Sequence, residues 1–181
     1  MRKTLLPLLL AFASCQEAEK EVRYFDLPDF FQNEVTRLES TNLGVTKIIT
    51  KGEQMETLHS DSVQWKEELG PFLSVDLNKP AFNKKFFVDT LMGEGKDYSL
   101  VFSAVDSGMQ VQYAQVDIDS AGKVVQLSLR TWSQNDLYAS MQHLFYRPMD
   151  SYSVERMEMV EPGEARRYAV YGRFVRPEKG Q

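Results

Sequence analysis

The chain has one cysteine, Cys15, and two histidines, His59 and His143, in 181 residues. A single thiol excludes an intrachain disulfide. Zinc sites need three or four ligands in cooperating positions, and two histidines in separate strands make a poor case. A serine triad would need one of those histidines beside a serine and an acid, and no Gly-x-Ser-x-Gly occurs. There is no phosphate-binding loop and no dinucleotide fingerprint. Carboxylates are plentiful, but they read as a solvated surface. The expectation is a non-enzymatic protein with no metal and no cofactor. Basic residues are also outnumbered, 21 Lys and Arg against 26 Asp and Glu. That balance argues against nucleic-acid binding and against a polybasic membrane patch. No apolar run reaches the roughly 20 residues of a membrane-spanning helix.

What is present begins with the leader. Arg2 and Lys3 precede an apolar run, Leu5 to Ala13, with the proportions of a signal peptide. Ala13 and Ser14 then precede Cys15. The stretch Phe12-Ala-Ser-Cys15 resembles the lipobox of bacterial lipoproteins, with Phe12 where Leu is usual. The resemblance implies that residues 1–14 are removed and that Cys15 is acylated. Each buried methylene contributes about 0.8 kcal/mol, so several acyl chains anchor stably. Gln16, in place of Asp, implies the outer membrane, on its periplasmic or cell-surface side. Residues 15–24, with Glu17, Glu19 and Glu21, read as an acidic tether similar to those of surface lipoproteins. Loss of Arg2 and Lys3 takes the formal charge from −5 to −7.

Residues 25–181 suit a single α+β domain. Asp26 can cap a helix, with Pro28 in its first turn and Asp29 at its positive end. Phe25 and Phe30 can form a hydrophobic staple. Leu27, Phe30, Phe31, Val35 and Leu38 share one helical face. Val45 to His59 reads as a hairpin around Gly52-Glu53. Asp61 and Gln64 look like a capping box for a second helix carrying Trp65, Leu69, Phe72 and Leu73, with Gly70-Pro71 as a kink or a division.

From about residue 84 onward, turn clusters recur: Gly93 to Gly95, Asp106 to Gly108, Asp119 to Gly122, Ser133 to Asp136, Pro148 to Asp150, and Pro162-Gly163. With no helix between them, the seven strands they separate should pair as an antiparallel meander. The expected fold is therefore two N-terminal helices packed on a long, curved, half-barrel-like meander. The body resembles uncharacterised outer-membrane lipoproteins of Gram-negative bacteria. In outline it is similar to half-barrel carriers of lipoprotein acyl chains.

Period-2 alternation assigns Val125, Leu127 and Leu129 to one face, and Val111 with Tyr113 opposite Ala114, Val116 and Ile118. On the strand near 137–147, Leu137, Ala139, Met141 and Phe145 form the apolar face, and His143 lies among them. Asp117-Ile-Asp119-Ser-Ala-Gly122 opens like a calcium loop. However, Ala121 and Ser128 stand at ligand positions five and twelve, so a tight turn is expected instead. Tyr138, Tyr146, Tyr152 and Tyr171, interleaved with Arg130 and Arg156, have the composition of a recognition patch. The function expected is a lipid-anchored module that binds a protein or a ligand. The alternative is a carrier of a hydrophobic ligand in a cavity between helices and sheet.

Overall fold

The computed structural model describes residues 23–160 and 163–176. The leader, Cys15 and the tether as far as residue 22 lie outside the described residues. Helix α1 spans Leu27–Glu39. Its cap is the one the sequence suggests: the Asp29 amide donates to Asp26 Oδ1 at 3.1 Å. The Phe25 and Phe30 rings are 5.8 Å apart, as a staple requires. Leu27, Phe31, Val35 and Leu38 are buried. After Asn42, at φ 49°, strands β1 (Gly44–Lys51) and β2 (Gln54–Ser60) form the hairpin.

The second helix is smaller than its pattern suggests. Gly70-Pro71 divides it into two single turns, α2 (Trp65–Glu68) and α3 (Gly70–Leu73). The capping box does not form. The Gln64 side chain makes no cap hydrogen bond, and Asp61 Oδ1 meets His59 Nε2 instead. Asn78 fastens the chain entering α1. Its Oδ1 accepts from the Arg23 and Tyr24 amides, both at 2.9 Å. Residues 23 and 24 are thus tied to the body of the domain.

Seven more strands follow among the described residues: β3 (Phe86–Met92), β4 (Tyr98–Ala104), β5 (Val111–Ile118), β6 (Val124–Asn135), β7 (Tyr138–Arg147), β8 (Ser151–Val160) and β9 (Arg166–Val175). Each pairs antiparallel with the next. The hairpin does not cover a sheet face. It extends the sheet, because β1 pairs with β9. The result is one open nine-stranded sheet in the order β2-β1-β9-β8-β7-β6-β5-β4-β3.

Register fixes the faces. The cross-strand row Leu100–Val116–Leu127–Tyr146–Tyr152–Gly172–Lys47 lies on the face that carries the helices. The next row is Phe102–Ala114–Leu129–Leu144–Val154–Val170–Ile49. Two bulges alter the simple alternation. Gln112 is an extra residue in β5, which turns Val111 inward beside Ala114. Val125 is an extra residue in β6, which leaves it outside while Leu127 and Leu129 are buried. On β7 the inward side is Tyr146, Leu144 and their even-numbered neighbours. Leu137 and His143 face solvent, contrary to the apolar-face reading.

The space between helices and sheet is filled by rings. Phe31, Phe72, Tyr146, Tyr152, Phe174 and Trp65 stack mostly edge-on, with centroids 5.0–6.4 Å apart. Two phenols inside it bond to helix carboxylates. Tyr146 Oη donates to Glu34 at 2.7 Å, and Tyr152 Oη donates to Glu68. Glu34 also pairs with Arg37, and Glu68 pairs with Lys47 at 2.9 Å. Burial, reinforced by the adjacent carboxylate, pushes both phenols far above the ordinary tyrosine value of 10.0. Their neutral form is therefore favoured by folding. That stability is present below pH 10 and is lost above it, because the unfolded chain ionises first. The expected loss is about 1.4 kcal/mol per pH unit for each tyrosine. Urea midpoints measured from pH 8 to 12 should fall steeply. The slope should flatten in Tyr146→Phe/Tyr152→Phe; an equally steep fall there would refute the assignment.

Candidate functional site

Beyond the helix-covered rows, the same sheet face changes character. The next row is Val111–Thr131–Gln142–Arg156–Tyr168–Lys51, and the one after is Ser133–Ser140–Glu158–Arg166. An inward sheet face is normally apolar, and here two consecutive rows carry hydroxyls, amides and charges. Arg156 is their hub. With its amide oriented so that the oxygen accepts, Gln142 takes two bonds from Arg156, 2.6 Å from Nη2 and 2.8 Å from Nε. Arg156 Nη1 is 3.3 Å from Glu158 Oε1. That oxygen also accepts from Tyr138 Oη at 3.1 Å. Lys51 Nζ lies 5.9 Å from the Tyr168 ring centre.

Ser140 is the unusual member. It is 6% exposed, and its Oγ has no hydrogen-bond partner among the described residues. An unpaired buried hydroxyl costs about 1–3 kcal/mol. A cavity of about 130 Å³ opens beside it, lined by Thr131, Ser133, Ser140, Gln142 and the Ser74-Val75 turn. Val154, Val170 and Ile49, each half-buried, make an apolar floor next to the polar rows. The arrangement can hold a molecule with an apolar body and a hydrogen-bonding, anionic head. Arg156, Lys51 and Arg166 outnumber Glu158 there.

The six residues expected to form one patch fall in three places. Tyr138 and Arg156 belong to these polar rows. Tyr146 and Tyr152 are buried in the core, 0% and 1% exposed, and cannot present a surface. Tyr171 and Arg130 lie on the opposite, solvent face, where Arg130 stacks 5.5 Å from the Tyr113 ring. Composition alone does not single out Gln142, Ser140, Glu158 and Tyr168. Their signal in the sequence is positional: polar residues at alternate positions that become Leu144 and Tyr146 farther along β7, and Val154 and Tyr152 along β8.

The histidines stand elsewhere. His59 bridges Thr46 Oγ1 at 3.0 Å and Asp61 Oδ1 at 3.1 Å. That hydroxyl–imidazole–carboxylate row ties β1 to β2 and to the loop after it. The His59 and Asp61 side chains are open to solvent, 56% and 62% exposed. His143 lies on the solvent face, between Arg130 and Glu155 of the neighbouring strands. It borders a groove of about 250 Å³ with Met141, Met157 and Arg167.

No family model matches the chain, and no curated protein matches it. Among solved structures it is similar to an S-type phycobiliprotein lyase from Guillardia theta. The identity is 10%, covering 86% of this chain and 94% of that one, with a TM-score of 0.28.

Proposed function

We propose that the protein is a non-enzymatic, lipid-anchored binding domain whose ligand lies on the polar rows around Arg156. The open sheet is read as a half-barrel, bent by the twist of its long strands. The observation that carries the reading is the buried, unpaired Ser140 hydroxyl beside a cavity on a polar inner face. Among the described residues, rings fill the space between helices and sheet around Tyr146 and Tyr152. A hydrophobic ligand would instead lie farther along the face, with its apolar body on Val154, Val170 and Ile49 and its head toward Arg156.

A thermal-shift screen of amphipathic carboxylates tests this. A ligand at 100 times its Kd stabilises by about 2.7 kcal/mol, which raises Tm by roughly 5–11 °C for a chain of this size. The shift should vanish in Arg156→Met and in Gln142→Leu, and persist in Arg130→Met on the solvent face. A shift that survives Arg156→Met would move the site elsewhere.

The anchor is proposed at Cys15, supported by the lipobox resemblance of Phe12 to Cys15. It places the domain on the outer membrane. Cys15→Ala should move the protein from the membrane fraction to the soluble fraction. Retention of the variant on membranes would refute lipidation as the sole attachment.

A further inference from the structure

Among the described residues the sheet ends in two edge strands, β2 and β3. Edge β3 is unusual because it exposes apolar side chains to both sides: Phe87 63%, Val88 51%, Leu91 56% and Met92 71%. Natural edges are normally blunted by charge, proline or a cover, and here Asp89 is the one charged residue within the strand. Backbone direction adds to this. Lys85 C=O and Gly93 N–H face β4 and its turn. In antiparallel geometry, Phe86, Val88, Thr90 and Met92 then direct their N–H and C=O groups outward.

The described chain begins its course beside this edge. Tyr24 stacks on Phe86, the first residue of β3, with ring centres 5.3 Å apart. Cys15 is eight residues before Arg23, a reach of at most about 28 Å. The β2 edge lies eight strand spacings away from β3, roughly 38 Å along the sheet. Charge differs between the edges in the same sense. Lys84, Lys85 and Lys96 offset Asp89, Glu94 and Asp97 in and beside β3, whereas Glu53, Glu56 and Asp61 outnumber Lys51 in and beside β2.

Resting on the lipid-anchor reading, we infer that the β3 edge is the face the domain lays against the bilayer. Phe87, Val88, Leu91 and Met92 reach the headgroup–acyl boundary, and the flanking lysines meet anionic headgroups. Contact stops at headgroup depth, where water still solvates the outward backbone groups; the hydrocarbon interior would leave them unpaired.

The test uses the full chain, processed from its own leader and reconstituted in phosphatidylcholine–phosphatidylglycerol vesicles. Acylation consumes the Cys15 thiol, so Leu91→Cys and Met55→Cys each carry one reactive thiol for an environment-sensitive fluorophore. The label at 91 should shift blue and be quenched by lipid-borne nitroxide, with little quenching by iodide. The label at 55 should show the reverse. Equal iodide access at both positions, in protein whose mass shows an acylated Cys15, overturns this inference alone. Shielding at 91 that follows protein concentration, with crosslinking between copies, also overturns it and assigns the edge to a second copy. A mass showing Cys15 unmodified overturns the anchor reading and this inference together.

Discussion

Leu127→Asp should abolish the fold. Leu127 is 1% exposed and sits mid-sheet, paired with Val116 on one side and Tyr146 on the other. Its side chain lies in the row the helices cover, beneath the ring cluster. A carboxylate there has no cation within its own row nearer than Lys47, several strands away and already engaged by Glu68. Burying an unpaired charge is among the few single changes that cost more than about 4–5 kcal/mol. Whole domains have only about 5–15 kcal/mol. The variant should be aggregated or unfolded by circular dichroism at 25 °C. Leu127→Ala should stay folded and lose about 2–5 kcal/mol. Val125→Asp is the decisive control: Val125 is the bulged residue and faces solvent, so its change should stay within about 0.5 kcal/mol. If Leu127→Asp melts like the native chain, the inward face of β6 is misassigned.

That contrast between Val125 and Leu127 marks where the sequence stops being readable. Local chemistry carries far. The Asp26 cap, the Phe25–Phe30 staple and the turns at Gly95 and Gly122, both at positive φ, each depend on residues close in the chain. Seven meander strands can be placed from those turns. Register does not read out locally. Gln112 and Val125 look like ordinary strand residues, and each bulge reverses the face of the residues beyond it. On β7 both faces carry apolar residues. Which one is inside depends on whether Tyr146 or Phe145 meets α1, and that contact joins residues over a hundred positions apart. The β1–β9 pairing is longer in range still, joining Val45 to Phe174. The candidate site inherits this difficulty. Arg156 and Tyr138 attract notice by type, but only register shows that they share a face with Ser140, Gln142 and Tyr168, and that Tyr171 does not.

Register also decides the fate of Gly172, and Gly172→Ala should be strongly destabilising although alanine is ordinarily the better strand residue. Gly172 lies opposite Tyr152 on the inward row. A Cβ added to it would fall within 2.2–2.5 Å of Tyr152 Cε1, Cζ and Oη, well inside van der Waals contact. The ring cannot swing clear cheaply. Phe174 and Phe72 hold its sides, with centroids at 6.0 and 6.4 Å, and Glu68 holds its hydroxyl. Overpacking of this kind costs about 1–3 kcal/mol, and displacing the ring would also break the Glu68 bond and leave that carboxylate on Lys47 alone. Against this, glycine in a strand costs roughly 0.5–1 kcal/mol relative to alanine through backbone entropy. Steric overlap should win while the ring is present. In a Tyr152→Ala background the overlap is gone and only the entropy term remains, so Gly172→Ala should become neutral or stabilising. Urea denaturation of the four chains gives the coupling directly. A Gly172→Ala penalty unchanged by Tyr152→Ala would mean that the glycine is required by its backbone, and that the Tyr152 ring does not lie over it.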